Sequence, residues 1–217
     1  MSRAERINRL PAALVSWWRK ILSPPPDETV EQWAGRAFDF KSSESADPGR
    51  FSCRRRPYMR EPLECHRDPK VRILTLCWGT QVGKTIVLYI GRFYRNRVFG
   101  YSSLIVLPSI GYARRIAKSR ILPLLRNSAV MKEIIPPHRH SITALEQYFA
   151  TCFNIITGSN SPANLAGQPV PDTVGDEPDK YDEGDVKETS ATNLLPQRTK
   201  SFPYSLNSWA SSPSHMD

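Results

Sequence analysis

The sequence predicts an α/β domain, a mainly parallel sheet flanked by helices. Three observations predict it. Val71–Cys77 reads as a buried strand, and Leu104–Leu107 is a continuous apolar run ended by Pro108, as expected for parallel strands covered on both faces. A helical pattern follows each run, over Thr85–Tyr94 and Ser109–Leu125, and strands alternating with helices are the mark of a parallel sheet. Between the first strand and its helix lies Trp78-Gly79-Thr80-Gln81-Val82-Gly83-Lys84-Thr85, a turn at the strand's C-terminal edge, where such sheets place their ligands.

That turn reads as a phosphate-binding loop. Successive backbone N–H groups and the positive end of the helix dipole converge there on an anion. Gly83 lets the backbone approach without a Cβ. Lys84 would reach the β- and γ-phosphates of a nucleotide, and the Thr85 hydroxyl would coordinate Mg²⁺. Gly79, Thr80, Gln81 and Val82 complete the cradle. The usual spacing puts a glycine where Trp78 stands; here the first glycine comes one residue later, at Gly79. Gly-Lys-Thr alone is a common chance string, and the strand and helix around it carry the reading.

Taken in order, the chain opens on Ile7, Leu10, Leu14, Trp17 or Trp18, and Ile21 at helical spacing among Arg3, Arg6, Arg9, Arg19 and Lys20. This is a basic amphipathic helix, ended by Pro24-Pro25-Pro26. Residues 1–50 read as a helical arm and linker suited to docking a partner, with a second short helix over Glu28–Ala34; residues 51–217 read as the catalytic domain. Arg54-Arg55-Arg56-Pro57-Tyr58 precedes the first core strand. Tyr58 there suits stacking on a purine base, or the stretch is a basic surface turn. After the second helix, Cys152–Ile156 is the next strand, followed by the loop Thr157–Pro162.

The formal charge of +9 is unevenly spread. From Arg67 to Arg120 there are eleven Lys/Arg and one acid, Asp68; from Val170 to Ser190 there are eight acids against Lys180 and Lys187. A basic face suits a polyanion such as duplex DNA, and an acidic segment in a basic chain suits a metal site or a partner. No apolar run approaches the roughly 18 residues of a membrane span, and no secretory signal is read at the N-terminus. Cys53, Cys65, Cys77 and Cys152 lack Cys-x-x-Cys spacing and are expected to be free thiols, with Cys77 in a core strand.

Val174-Gly175-Asp176-Glu177 follows the loop by about 90 residues and by two further core strands. In a phosphate-loop ATPase the Asp at the end of a core strand supports Mg²⁺, and the Glu polarises the attacking water. Asp176 and Glu177 are read in those roles. The neighbouring Asp179, Asp182, Glu183 and Asp185 are taken as surface acids.

Several stretches resemble the large terminase subunits of tailed phages, the DNA-packaging motors, and especially their lambda-type branch. They are Pro57–Glu61, Gly79–Thr85, Ser119–Pro123, Gly158–Ala166 and Gly175–Tyr181. Order and spacing match from roughly Glu31 to the C-terminus, and in that branch the loop also runs Gly-x-Gln-x-Gly-Lys-Thr. Arg198–Phe202 followed by Ser211-Ser212-Pro213 is similar to the family's approach to a Ser/Thr-Pro motif that couples hydrolysis to motion. The resemblance implies a RecA/ASCE-like phosphate-loop ATPase that binds ATP and Mg²⁺ and drives double-stranded DNA into a procapsid in the host cytoplasm. Its implied partners are the small terminase subunit (through residues 1–22), the procapsid portal and other copies of itself. Arg115 and Arg120 are the candidates for the arginine that completes such a site.

Two departures set the alternatives. The stretch before Asp176 carries Pro169, Pro171 and Asp172, and the stretch before Ser211 carries Asn207 and Ser208, so both strands are expected to be short or impaired. The chain also stops just after Ser212-Pro213, where family members continue into a nuclease domain. It therefore reads as an excised ATPase part, a truncated product or a split subunit, with no nuclease activity expected. The alternatives are a degenerate remnant that binds nucleotide or partners without turnover, and a helicase-like translocase.

Overall fold

The computed structural model describes residues 27–42, 47–138, 140–161, 165, 167, 169–181 and 190–213. The basic amphipathic helix of the arm lies outside them, as do Asp182, Glu183 and Asp185.

A capping box opens α1 (Val30–Ala37): the Thr29 hydroxyl accepts from Gln32 N, and Gln32 Oε1 accepts from Thr29 N. Val30, Trp33, Ala34 and Ala37 sit on one face and join the main core. A two-strand ribbon follows, β1 (Asp39–Phe40) antiparallel to β2 (Gly49–Arg50). Then come a 3₁₀ turn at Pro57–Met59 and α2 (Arg60–Glu64).

The main sheet has six strands: β3 (Ile73–Cys77), β4 (Ser103–Leu107), β5 (Glu146–Tyr148), β6 (Phe153–Gly158), β7 (Asp172–Asp176) and β8 (Leu206–Ser211). Their order is β3-β8-β7-β4-β6-β5, parallel throughout except for β5. The predicted parallel α/β fold is thus present. β4 and β7 are buried along their whole length, which explains why Leu104–Leu107 shows no polar alternation.

β3 departs from expectation. It stands at one end of the sheet, and Ile73, Thr75 and Cys77 face outward while Leu74 and Leu76 point inward. Cys77 is therefore exposed. Position in a sheet is set by strands far along the chain, and an apolar run cannot announce that it will lie at an edge.

Helix α3 (Lys84–Phe99) is longer than its apolar pattern suggested and ends on Gly100, at φ 67°. It is buried nearly all round, between the sheet on one side and α1 and α2 on the other, with Arg92, Arg95 and Asn96 inside as well as its apolar residues. The helical stretch after β4 is broken into α4 (Ile110–Ile116), a π turn at Ala117–Ile121 and α5 (Leu122–Asn127). The Ser109 hydroxyl caps α4 by accepting from Tyr112 N. The short α6 (Ala129–Lys132) follows, and α7 (Ala191–Arg198) helps to cover the second sheet face through Ala191 and Leu195.

The two doubtful strands are well formed. Pro169 and Pro171 stop short of β7, so they remove no ladder bond, and β7 pairs with β4 and β8 on its two sides. The polar residues inside them are buried in mutual hydrogen bonds. Thr173 Oγ1 donates to Asn207 Oδ1 at 2.7 Å, and Asn207 Nδ2 donates to Thr199 Oγ1 at 3.1 Å. Satisfied in this way, buried polar groups cost little. At five and six residues the two strands are as long as the other parallel strands of the sheet, so the expected shortening is absent.

Candidate active site

The turn after β3 and the ends of β7 and β8 meet at the C-terminal edge of the sheet. Within the turn, Gln81 and Gly83 take left-handed backbone angles, φ 60° and 94°. Gly83 is the N-cap of α3, so the first amides of the helix open toward the loop. Trp78 has no such angle, which is why a non-glycine residue stands there without strain. Its ring meets the edge of Tyr58, centroids 5.2 Å apart, and its backbone N–H donates to Ser211 O at 3.1 Å. Tyr58 in turn donates its hydroxyl to Val82 O at 3.0 Å and leaves 47% of its surface open. An aromatic face thus stands beside the phosphate-loop backbone.

Lys84 turns inward from the start of α3 and is 6% exposed. Its Nζ lies 3.2 Å from Glu177 Oε1 and donates to the Ser212 hydroxyl. Lys180 holds the second oxygen of Glu177 at 2.9 Å. Glu177 itself has left-handed angles, φ 57° and ψ 54°, which cost a residue with a Cβ roughly 1–2 kcal/mol. Backbone strain of this kind concentrates at functional sites. The two lysines and the Glu177 N–H to Ala210 O, 2.7 Å, hold the carboxylate where β7 ends.

Asp176, one residue earlier, is 3% exposed. One oxygen accepts from the Tyr89 hydroxyl at 3.3 Å; the other, Oδ1, is buried without a partner. Burial first and the charge of Glu177 second push its carboxyl up to about 6. The same burial, together with Asp176, raises the Tyr89 and Tyr181 hydroxyls well above the ordinary phenol value. A buried carboxylate oxygen with nothing to accept from is a cation ligand in waiting. With the Thr85 hydroxyl, in the first turn of α3, it is the group that could hold Mg²⁺.

Arg120, exposed at the end of the π turn, is close enough to pull the Asp176 carboxyl back down. Arg115 lies with its guanidinium 5.1 Å over the Tyr112 ring. Of the two candidate arginines, Arg120 is the one whose charge is felt at Asp176. The Ser211 hydroxyl donates to Asp179, so Asp179 belongs to the site's rim and cannot serve as a neutral surface acid. Pro213 is exposed beside Ser212. Tyr89 carries no local signal that marks it in the sequence and reaches the site through the fold; Lys180 lies within the Gly175–Tyr181 stretch, and the fold sets its contact with Glu177.

Residues 45–217 match a protein family described as phage terminase large subunit gpA, ATPase domain. The chain belongs to that family. It is 24% identical over 202 residues to the terminase large subunit of Enterobacteria phage P21, covering 91% of this chain and 31% of that protein. Among solved structures, the fold is similar to the large terminase of bacteriophage HK97, with a TM-score of 0.61 at 13% identity over 86% of this chain and 38% of that one. It is also similar to the ATPase domain of the large terminase of Thermus phage P74-26, with a TM-score of 0.51 at 17% identity over 72% and 65% of the two chains. This terminase ATPase domain therefore spans 31% of the length of the curated relative it matches. Its fold is that of these structural neighbours, and the family is one of ATPase domains. No helix among the described residues is long and apolar enough to cross a membrane.

The basic excess of Arg67–Arg120 is only partly a face. Arg92 and Arg95 are 2% exposed and paired with Asp172; Lys84 is inside the site. Arg67 pairs with Asp27, Arg97 with Glu133, and Arg72 donates to Pro203 O and Phe202 O. Of the rest, Lys70 is exposed before β3, and Arg114, Arg115, Lys118 and Arg120 are clustered and exposed on α4 and the π turn.

Proposed function

We propose that this domain binds ATP with Mg²⁺ and hydrolyses it, and that the hydrolysis drives double-stranded DNA into a procapsid. The observation that carries the reading is Lys84, held across the site by Glu177 and Ser212. Phosphate oxygens offer Lys84 a denser negative partner than Glu177 does, so nucleotide entry pulls its ammonium toward the loop and releases Glu177. Thr85 and Asp176 would hold Mg²⁺, which supplies neutralisation of phosphate charge.

Glu177, freed and fixed by its backbone at the end of β7, accepts a proton from the attacking water or orients it. The water oxygen bonds to the γ-phosphorus as the bond to the bridging oxygen breaks. Arg120 contributes positive charge as the leaving oxygen becomes negative. Ser212 registers the swing of Lys84, and with Ser211 and Pro213 it links that swing to movement of the chain that bears them. Tyr58 stacks on the adenine. The exposed cluster Arg114, Arg115 and Lys118 takes the duplex phosphates. The small terminase subunit docks on residues 1–22, while the portal and further copies of the domain complete the motor. The pairing of β7 and β8 on both sides within the sheet removes one of the two features that favoured a degenerate remnant.

The test is turnover in Glu177→Gln and Lys84→Ala, with and without duplex DNA. Glu177→Gln is expected to slow hydrolysis by about 10²–10⁴-fold with ATP affinity little changed, and Lys84→Ala to lose ATP binding in a folded protein. Stimulation by DNA is expected to fall steeply with salt as counterions are released. Unchanged nucleotide affinity in folded Lys84→Ala overturns the assignment.

A further inference from the structure

Three elements carry the site. α3 begins with Lys84, β7 ends with Asp176, and β8 ends with Ser211. Followed to the opposite edge of the sheet, the same three elements meet again, on one carboxylate. Asp172 is buried and opens β7. Its Oδ2 accepts from Arg92 Nη1 and, at 2.9 Å, from Arg95 Nε; its Oδ1 accepts from Arg95 Nη2 at 2.8 Å and from the backbone N–H of Leu206, the first residue of β8, at 3.0 Å. Both arginines project from α3.

The other hydrogen bonds of the two arginines go to backbone carbonyls at that edge, while Arg92 Nε is buried without a partner. Arg95 Nη1 donates to His66 O at 2.9 Å and its Nη2 to Tyr204 O at 2.7 Å; Arg92 Nη2 donates to Tyr101 O at 3.3 Å. The Arg95 guanidinium also lies 5.1 Å over the Tyr101 ring. A bidentate fork of this kind fixes direction as well as distance. Two cations against one buried anion is a poor way to gain stability, since well-packed apolar residues of similar volume do as well or better. What the arrangement supplies is a fixed relation among α3, β7 and β8.

We propose that Asp172, Arg92 and Arg95 are positioning residues for the ATPase reaction: they pin the far ends of α3, β7 and β8 and so set where Glu177 stands relative to Lys84. The lever is short. Asp172 and Asp176 are about 13 Å apart along an extended strand, and Arg95 lies about 16 Å down the helix from Lys84. A small rotation at the pin becomes a shift of about an ångström at the carboxylates, enough to cost on the order of 10²-fold in rate. Nucleotide binding is largely spared, because the loop and Lys84 travel together on β3 and α3. The inference rests on the hydrolysis reading above.

The test compares the parent with Arg95→Lys and Asp172→Asn, and with the apolar triple Arg92→Met/Arg95→Met/Asp172→Leu. For each, kcat per folded molecule, ATP affinity and hydrogen exchange without nucleotide are measured. Expected for the first two are a kcat lower by about 10–100-fold, ATP affinity within about threefold, and faster exchange confined to the amides of β7 and β8 while β4 and β6 are unchanged. A triple variant that regains thermal stability without regaining kcat supports the pin. Unchanged kcat per folded molecule overturns it, as does a triple variant with parental kcat, or a loss of kcat that follows a general rise in exchange. If the parent itself does not hydrolyse ATP, the hydrolysis reading fails, and exchange alone then decides: a rise confined to β7 and β8 keeps the pin, and no rise removes it.

Discussion

Asp172 and Asp176 open and close the same strand, both buried, in opposite circumstances. Asp172 is saturated, with two guanidiniums and a backbone N–H on its two oxygens. Asp176 receives one long hydrogen bond from Tyr89 and keeps an oxygen with no partner. Folding has spent everything Asp172 can offer. It has left Asp176 costly to ionise and able to accept a ligand. Residue type and burial are the same at both ends of β7, so the difference between structural and functional carboxylate lies in the donors that face each one.

The largest expected effect tests that contrast directly. Asp172→Ala leaves two buried guanidiniums unpaired, and breaking a buried pair in this way costs about 3–5 kcal/mol. Asp176→Asn removes a charge that the fold disfavours and is expected to be neutral or stabilising without nucleotide. Urea unfolding of the two variants checks both. Comparable losses would mean that the two ends of the strand are equivalent.

The fold was legible where structure is local. The loop string, the apolar run of β4 and the helical pattern of α3 each rest on neighbours in sequence. The polar residues of β7 and β8 looked like damage because their partners are distant: Arg92 and Arg95 lie 80 and 77 residues from Asp172. For the same reason both arginines looked like part of a DNA-facing surface, and β3 looked like an interior strand. The site was readable as Lys84, Thr85, Asp176 and Glu177, each marked by motif. Tyr89 was not, because helix α3 brings it there with no motif attached; Asp179 and Lys180 fall within Gly175–Tyr181, but their contacts with Ser211 and Glu177 depend on the 3₁₀ turn after β7.

A smaller effect follows from the titration of Asp176. In the folded chain its carboxyl holds a proton up to about 6, against an ordinary value of 3.8. Between those values the folded state binds more protons than the unfolded one, so this group makes stability fall as pH rises, by up to about 3 kcal/mol. His66 acts in the opposite sense. Burial holds its imidazole down to about 4 from 6.5, the unfolded state binds the extra proton, and stability rises with pH across that window. The two slopes oppose each other in the parent. Asp176→Asn is expected to expose the His66 slope: more stable than the parent at pH 7, with the two proteins converging below about pH 4. Thermal midpoints across pH, without nucleotide or metal, check this. Parallel curves would mean that burial does not hold the Asp176 proton in the folded chain.

The smallest effects concern the loop that faces Asp176, and they ask which of its glycines the fold requires. Gly83 sits at φ 94°, and a Cβ there would come within 2.2 Å of Met59 Cε. The methionine end can move aside, so the cost is mainly the left-handed backbone, about 1–2 kcal/mol for a residue with a Cβ. Gly79 has open space around its Cβ position, and its φ is not among the positive ones. Gly79→Ala is therefore expected to change stability by no more than about 0.5 kcal/mol, with the lower chain entropy of alanine in the unfolded state offsetting any small loss. Thermal unfolding of the two variants without nucleotide measures the difference, and ATP affinity measured beside it shows whether Gly79 matters once phosphate is present. A Gly79→Ala protein that is stable but binds ATP poorly would place that glycine, like Asp176, at the end of the molecule kept open for a ligand. Equal destabilisation by both substitutions would mean that the loop needs its first glycine in order to fold, and that the shift of this glycine from position 78 to 79 is a matter of backbone geometry.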